Sequence, residues 1–182
     1  LLENPLYTDL TLHERRPRYL ELETADAFLV GDCVLNNQPR AGLFKTNAGQ
    51  LAPATYVLCD VYRRTPVEVG GRIERAGLPI LYYRANPSGI GLDKSGRPVD
   101  TIYNYWDNAE LVHLRDNSWD DLDEVKVEGI IIKPFYDFIT DDRVVRPGGA
   151  RPWPYRPDSY ILISAGVDGL YGTNDDITNF GY

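Results

Sequence analysis

The chain ends in Ala165-Gly-Val-Asp-Gly-Leu-Tyr-Gly-Thr-Asn-Asp-Asp-Ile-Thr-Asn-Phe-Gly-Tyr182, and this segment decides which fold we predict. It carries three carboxylates, at Asp168, Asp175 and Asp176, and no Lys or Arg follows Arg156. Carboxylates crowded into one loop repel one another unless they are solvated, protonated or bound to a cation. Calcium prefers oxygen ligands, and glycines let the backbone fold around an ion. The segment therefore indicates a calcium site, with a solvated turn held by Asx hydrogen bonds as the alternative.

Strands are predicted before this loop and in the middle of the chain. Residues 160–164 form an apolar run, and residues 54–62 are rich in β-branched and aromatic side chains. Residues 78–84 predict a third strand, which Pro79 would start at a sheet edge. Residues 25–30 are typical of either a strand or a short helix. Residues 31–54 are rich in Gly, Asn, Pro and Gln and indicate a long loop.

Helices are predicted in the third quarter of the chain. Residues 119–129 resemble a charged helix that ends at Gly129, and residues 129–139 could continue as a helix with Pro134 in its first turn. We interpret the acidic residues at the start of the first helix as a solvated terminus favoured by the helix dipole, rather than as a second metal cluster. These residues are Asp120, Asp121, Asp123 and Glu124. Residues 143–157 predict a stiff loop whose arginines could pair with the acidic tail or with an acidic neighbouring subunit.

The composition limits the classes of function that are open to the chain. The formal net charge is -8, which argues against nucleic acid as a partner because phosphate binding needs clustered Lys and Arg. A content of 43% hydrophobic and 25% charged residues predicts one globular domain over residues 1–182. No run of about 18 apolar residues occurs, so no membrane span is predicted within the sequence. Cys33 and Cys59 allow either one disulfide or two buried thiols.

An aromatic run leaves two other functions open. Tyr103, Tyr105 and Trp106 could pack in the core beside a cross-strand ladder, or they could stack on sugars in a calcium-dependent carbohydrate-binding module. A glycosidase is the less favoured alternative, with Asp107 and Asp137 as its carboxylates, because such chemistry needs two carboxyls about 5–10 Å apart in a cleft. No Ser-His-Asp or Cys-His pattern appears, so we expect that the protein is not an enzyme.

The C-terminal residues carry a family resemblance. Ser164-Ala-Gly-Val-Asp-Gly-Leu-Tyr-Gly-Thr-Asn-Asp-Asp-Ile-Thr-Asn179 resembles the C-terminal loop of the major pseudopilins of type II secretion systems and of related type IV pilin-like proteins. Their common pattern reads Ser-Ala-Gly-Pro-Asp-Gly, a few residues, then Gly-Thr, Asp-Asp-Ile and Asn. Val167 departs from it by replacing the usual Pro. Residues 157–163 resemble the strand before that loop, and residues 77–84 resemble the Gly-x-Pro-x-x-Tyr segment that begins the family's sheet.

The resemblance implies an α+β fold, a pilin-like globular head in which an antiparallel β-sheet packs on the remainder of an N-terminal helix. Family members form filaments with other subunits and are anchored in the inner membrane by a hydrophobic helix before the head. The sequence contains no Met and begins Leu1-Leu2-Glu3-Asn4-Pro5, so we expect that this helix has been removed. The implied location of the head is periplasmic or extracellular, and its implied role is that of a structural filament subunit.

The resemblance also implies a ligand set for calcium, the expected cofactor. Carried over by position, the side chains of Asp168, Asp175 and Asp176 would bind the ion. The Ala165 and Leu170 carbonyls would be backbone ligands, with Thr173 as a further candidate. A mixture of carboxylates and carbonyls suits an ion that takes about six to eight oxygens.

Overall fold

A computed structural model describes most of the chain beyond its first 24 residues. The described residues are 25–30, 34–35, 38–39, 54–62, 64–93, 100–108, 111, 124–144, 148 and 150–181. Three predictions lie outside this range: the helix remnant at the start of the chain, the pairing of Cys59 with Cys33, and the acidic helix start at residues 120–123.

Short antiparallel strands make up nearly all of the regular structure in the described residues. They are β1 (Ala27–Leu29), β2 (Val34–Leu35), β3 (Gln38–Pro39), β4 (Tyr56–Leu58), β5 (Thr65–Val69), β6 (Arg72–Ala76), β7 (Leu81–Arg84), β8 (Val125–Val127), β9 (Ile130–Ile132), β10 (Tyr160–Ser164) and β11 (Ile177–Thr178). The described helices are a single 3-10 turn, Tyr105–Asn108, and a single α-turn, α1 (Phe135–Phe138). The coarse prediction of an antiparallel sheet is confirmed.

The strands nearest the acidic loop form two antiparallel sheets that an isolated bridge connects. β10 pairs with β7 on one side and with β11 on the other. β1 pairs with β4, and a bridge between Cys59 and Pro79 joins that ladder to the start of β7. The Ile80 amide donates to the Leu58 carbonyl at 2.8 Å across this junction. The bridge therefore brings the residues that follow β4 near the end of β10, where the acidic loop begins.

The main core lies under β7 and β10 and is rich in aromatic rings. Tyr83 and Phe135 are fully buried with ring centroids 4.7 Å apart, and Phe135 also contacts the buried Tyr105. The apolar residues of β10 alternate into this core, because successive side chains of a strand point to opposite faces. Ile161 and Ile163 are buried while Tyr160 is 40% exposed. The acidic loop therefore leaves the sheet from the buried end of β10.

The three strands predicted around this core are confirmed, and two of them are shorter than predicted. Residues 160–164 form β10 as predicted, residues 54–62 contain β4, and residues 78–84 contain β7. Residues 25–30 contain the strand β1. The predicted loop over residues 31–54 contains the two short strands β2 and β3.

The helix predicted to end at Gly129 is wrong in its described part. β8 and β9 instead form a hairpin whose turn is Glu128-Gly129, and both residues have positive φ, 50° and 88°. Two consecutive residues with positive φ suit a tight hairpin turn rather than a helix end. The helix predicted over residues 129–139 occurs only after Pro134, as α1.

Two further features differ from the sequence prediction. The β5–β6 hairpin, which turns at Gly70-Gly71 with φ of 55° and 81°, was not predicted. The aromatic run at residues 101–108 ends in a 3-10 turn rather than a strand, so the expected cross-strand ladder is wrong. Its expected core packing is confirmed for Tyr103 and Tyr105, which are fully buried, whereas Trp106 is 44% exposed.

Candidate metal centre

The acidic loop is closed at its base by its own flanking strands. β11 returns antiparallel to β10 and pairs Ser164 with Ile177 and Ile163 with Thr178. This pairing brings the end of the loop back beside its beginning. The Lys133 amide donates to the Gly172 carbonyl at 2.9 Å, which ties the middle of the loop to the segment after β9. The loop is therefore fixed at both its base and its middle.

Asp175 holds the two halves of the loop together. Its Oδ2 accepts the Asp168 amide at 2.9 Å, and its Oδ1 accepts the Thr173 hydroxyl at 2.5 Å. Burial acts to raise the pKa of Asp175, but the hydrogen bonds from Thr173 and from the Asp168 amide outweigh it and lower the pKa. Asp175 is therefore the carboxylate of the loop that is most readily ionised.

Asp176 lies deeper and is less well solvated. Its Oδ2 accepts the Gly172 amide at 2.8 Å, and its Oδ1 accepts the Thr173 amide at 3.3 Å. Burial raises the pKa of Asp176 to about 7, against the opposing effect of these hydrogen bonds, and the nearby charge of Asp168 adds to the rise. Ionising this carboxyl at neutral pH therefore costs free energy that a bound cation would offset.

Asp168 and Thr173 complete the group. Asp168 Oδ1 accepts the Leu170 amide at 2.8 Å, and burial raises the pKa of this carboxyl as well. Thr173 Oγ1 lies 3.2 Å from Asp176 Oδ1 and 3.4 Å from the Leu170 carbonyl oxygen, in addition to its bond to Asp175. The structure thus brings the three aspartates, Thr173 and the Leu170 carbonyl into one cluster. Ala165, the remaining predicted ligand, is buried at the base of the loop.

Gly166 permits the close approach that closes the loop. Its φ is +61°, and a Cβ at this position would lie 2.8 Å from Asp175 Oδ2 and still closer to the Asp175 carbonyl oxygen. Only glycine tolerates both the left-handed backbone and this contact without displacement. Gly166 is the first glycine of the Ser-Ala-Gly-Pro-Asp-Gly pattern, and its contact with Asp175 gives a physical reason for a glycine at this position.

Asp60 is a buried acid beside the loop that the sequence analysis missed. Its Oδ1 accepts the amides of Tyr62 and Leu78, each at 3.1 Å, and its Oδ2 accepts the Ser164 hydroxyl at 2.8 Å. Burial raises the pKa of Asp60, and these hydrogen bonds partly counter the rise. The sequence feature that could have indicated Asp60 is a single acid within the apolar residues 57–61, because a buried carboxyl needs hydrogen-bond partners.

The arginines of residues 143–157 pair mainly away from the acidic loop. Arg143 binds Asp141 through two hydrogen bonds of 2.7 and 2.9 Å, and Arg151 forms an ion pair of 3.2 Å with Asp93. Arg156 reaches the tail, but its Nη1 donates to the Asn179 carbonyl at 3.2 Å. The described arginine contacts therefore leave the charges of the three loop aspartates uncompensated by this segment.

The residues named for the alternative functions differ in burial. Tyr103 and Tyr105 are buried, so these two rings offer no stacking surface to a sugar. Asp107 lines a cavity of about 410 Å³ between β4, β7 and the 3-10 turn, and burial raises the pKa of its carboxyl. Asp137 is exposed on α1 and does not belong to the described lining of that cavity. This placement gives no support to a shared carboxylate cleft.

Comparison with known proteins does not identify the site. Within the described ranges, no set of three or more His, Cys, Asp and Glu side chains is arranged to hold a metal ion. A cation in the loop would therefore need backbone and hydroxyl oxygens beside the carboxylates.

No helix of the described part is long and apolar enough to cross a bilayer. No protein-family model, curated protein or solved structure matches the chain significantly.

Proposed function

We propose that the chain is the globular head of a structural subunit from a type II secretion pseudopilus or a type IV pilus-like filament, and that calcium orders its C-terminal loop. The observation that carries this proposal is the cluster of Asp168, Asp175 and Asp176 around Thr173 at the end of β10. The resemblance of residues 164–179 to the pseudopilin loop supplies the filament part of the proposal.

The chemistry of the cluster suits calcium. Carboxylate, hydroxyl and carbonyl oxygens are hard ligands, and calcium accepts about six to eight of them in a flexible geometry. The raised pKa of Asp176 shows that its anion is poorly solvated, so a divalent cation would stabilise the charged form. Asp175 has the lowered pKa and would carry its charge over the widest pH range. In this proposal Asp168, Asp175, Asp176, Thr173 and the Leu170 and Ala165 carbonyls hold the ion.

Calcium would act on the loop as a structural clip rather than as a catalyst. β11 pairs with β10 over only two residues, so few ladder bonds hold the end of the described chain to the sheet. An ion shared by Asp168 and Asp175 would join residues on both sides of the loop. Binding to the folded state alone stabilises a protein by mass action, by about 2.7 kcal/mol when the free ligand is at 100 times its dissociation constant.

The proposed setting is a filament outside the cytoplasm. The head would lie in the periplasm or outside the cell, where weak calcium sites with dissociation constants on the order of 0.1–1 mM are useful. Its partners would be other pilin or pseudopilin subunits and, through a hydrophobic segment preceding the head, the inner membrane. The net charge of -8 disfavours nucleic acid as a partner.

Thermal denaturation with and without calcium tests the proposed ion. For dissociation constants of about 0.1–1 mM, calcium at about 10 mM stabilises the folded state by about 1.4–2.7 kcal/mol, which corresponds to a rise in Tm of roughly 3–11 °C for a chain of this size, at about 2–4 °C per kcal/mol. We expect this rise in millimolar calcium for the parent, its loss in Asp175→Ala, and its retention in Asp158→Ala, an exposed aspartate outside the loop. An unchanged Tm of the parent at millimolar calcium would refute the calcium site.

The encoded sequence before Leu1 tests the proposed filament. We expect a short basic leader, then Gly-Phe-Thr-Leu-x-Glu and roughly 20 apolar residues, enough to span a bilayer as a helix. A coding sequence without such an apolar segment would exclude a pilin-like subunit. The calcium site would then still be tested by the thermal denaturation alone.

A further inference from the structure

We propose that Asp60 and Ser164 are positioning residues that set the orientation of the Ala165–Gly166 peptide group, whose carbonyl is one of the proposed calcium ligands. The inference rests on the proposed calcium site and extends it to a residue outside the loop. Ser164 is the last residue of β10, and Asp60 follows β4, 104 positions earlier in the chain. The contact between them joins the base of the loop to a different part of the sheet.

Hydrogen bonds and packing hold the Asp60 side chain in place. One of its carboxylate oxygens accepts two backbone amides, those of Tyr62 and Leu78, which leaves the other oxygen to face Ser164. Gly77 packs directly against this residue, since a Cβ at position 77 would lie 2.7 Å from the Asp60 carbonyl carbon and nearer still to two of its oxygens. The carboxylate is therefore confined by hydrogen bonds on one side and by packing on the other.

The bond to Asp60 sets the direction of the Ser164 hydroxyl. A serine hydroxyl has one proton to donate and two lone pairs to accept with, whereas an ionised carboxylate can only accept. The proton of Ser164 therefore points to Asp60 Oδ2 at 2.8 Å, and the lone pairs remain for other donors. The Gly166 amide uses one of them, with its nitrogen 3.4 Å from Ser164 Oγ.

The Gly166 amide belongs to the same peptide group as the Ala165 carbonyl. A trans peptide group is planar, and its N–H and C=O point in opposite directions. Directing the Gly166 N–H toward Ser164 consequently directs the Ala165 carbonyl oxygen away from Ser164. The hydrogen bonds from Asp60 through the Ser164 hydroxyl to this peptide group thus set the orientation of a proposed backbone ligand.

A second contact ties the other side of the loop to the same part of the sheet. The buried Tyr171 hydroxyl donates to the Pro79 carbonyl at 2.6 Å. Residues 77–79 therefore support Asp60 through Gly77 and the Leu78 amide, and they support the loop directly through Pro79. Residues 77–79 therefore contact both Asp60 and the loop, although they lie far from the loop in sequence.

Calcium titration of a small set of variants tests the proposal. Partners that orient metal ligands typically change affinity by about 10–100-fold when they are removed, so we expect Ser164→Ala to weaken calcium binding by about that factor in isothermal titration. Ser164→Thr retains the hydroxyl and should stay within about threefold of the parent, below that range. Thr140→Ala, which removes a hydroxyl bonded to the Tyr136 carbonyl, is the matched control and should not change the affinity.

An NMR measurement separates orientation from general destabilisation. The Gly166 amide proton should shift upfield in Ser164→Ala in the presence of a chelator, because it loses its acceptor, and should keep its position in Thr140→Ala. A Ser164→Ala affinity within threefold of the parent would overturn the positioning role and leave the calcium site intact. Equal losses in Ser164→Ala and Ser164→Thr would also overturn it. A parent protein that binds no calcium would overturn the positioning role and the calcium site together.

Discussion

Replacement of Gly166 by alanine tests how the C-terminal loop is closed. Gly166 has a φ of +61°, and an added Cβ would lie 2.8 Å from Asp175 Oδ2, 2.9 Å from the Asp175 carbonyl carbon and closer still to its carbonyl oxygen. The substitution therefore imposes two separate costs. The first cost arises because a residue with a Cβ must adopt a left-handed backbone conformation. The second arises because the added Cβ overlaps the backbone of Asp175.

Both costs have known magnitudes. A left-handed conformation costs a residue with a Cβ about 1–2 kcal/mol, and an extra carbon in a tightly packed site costs typically about 1–3 kcal/mol. Gly166→Ala should therefore lower the free energy of unfolding by about 2–5 kcal/mol. Turning the Asp175 side chain cannot relieve the overlap, because the nearest atom is the Asp175 backbone carbonyl oxygen.

Gly70→Ala is the matched control for the conformational cost alone. Gly70 has a similar φ of +55°, but no atom lies within 4 Å of the position of an added Cβ. Both variants gain the same stabilisation from a less flexible unfolded chain, so this effect cancels in their comparison. Urea denaturation in the presence of a chelator should show Gly166→Ala to be about 1–3 kcal/mol less stable than Gly70→Ala. Equal stabilities would refute the close packing of Gly166 on Asp175.

Two further predictions concern the buried acids. Burial raises the pKa of Asp176 from 3.8 to about 7, so the stability that its protonated form contributes is complete below pH 4 and is lost as the pH rises through 7. Unfolding free energies in chelator should therefore fall less between pH 4.5 and 7.5 in Asp176→Asn than in the parent, and equal changes would contradict the shift. Gly77→Ala should cost about 1–3 kcal/mol because its Cβ overlaps Asp60, whereas Gly148→Ala, which meets open space, should be near neutral in the same melts. A neutral Gly77→Ala would contradict the packing around Asp60.

The features that the sequence predicted well depend on local patterns. β10 could be assigned because an apolar run precedes a glycine-rich acidic stretch, and both signals lie within about twenty residues of each other. The clustering of Asp168, Asp175 and Asp176 was predictable for the same reason, since the glycines between them allow the chain to fold back on itself. These residues are near in sequence, so a turn alone brings them together.

The predictions that failed rest on sequence features that are compatible with two different structures. Residues 125–132 combine charges typical of a helix with β-branched residues typical of strands, and Gly129 serves a helix end as well as a hairpin turn. Pairing between β8 and β9 decides the outcome in favour of the hairpin. The burial of Tyr105 beside the exposed Trp106 likewise depends on which side of the 3-10 turn faces α1.

The sequence by itself determined that an oxygen-rich loop follows a buried strand, and it determined which acids the loop contains. Only the tertiary structure decided how these acids differ, with Asp176 poorly solvated and Asp175 stabilised as an anion. Only the tertiary structure brought Asp60 to Ser164 across 104 positions. The reason is that burial and hydrogen-bond partners depend on which segments become neighbours. The bridge between Cys59 and Pro79 and the pairing of β7 with β10 join segments that no local sequence pattern relates to each other.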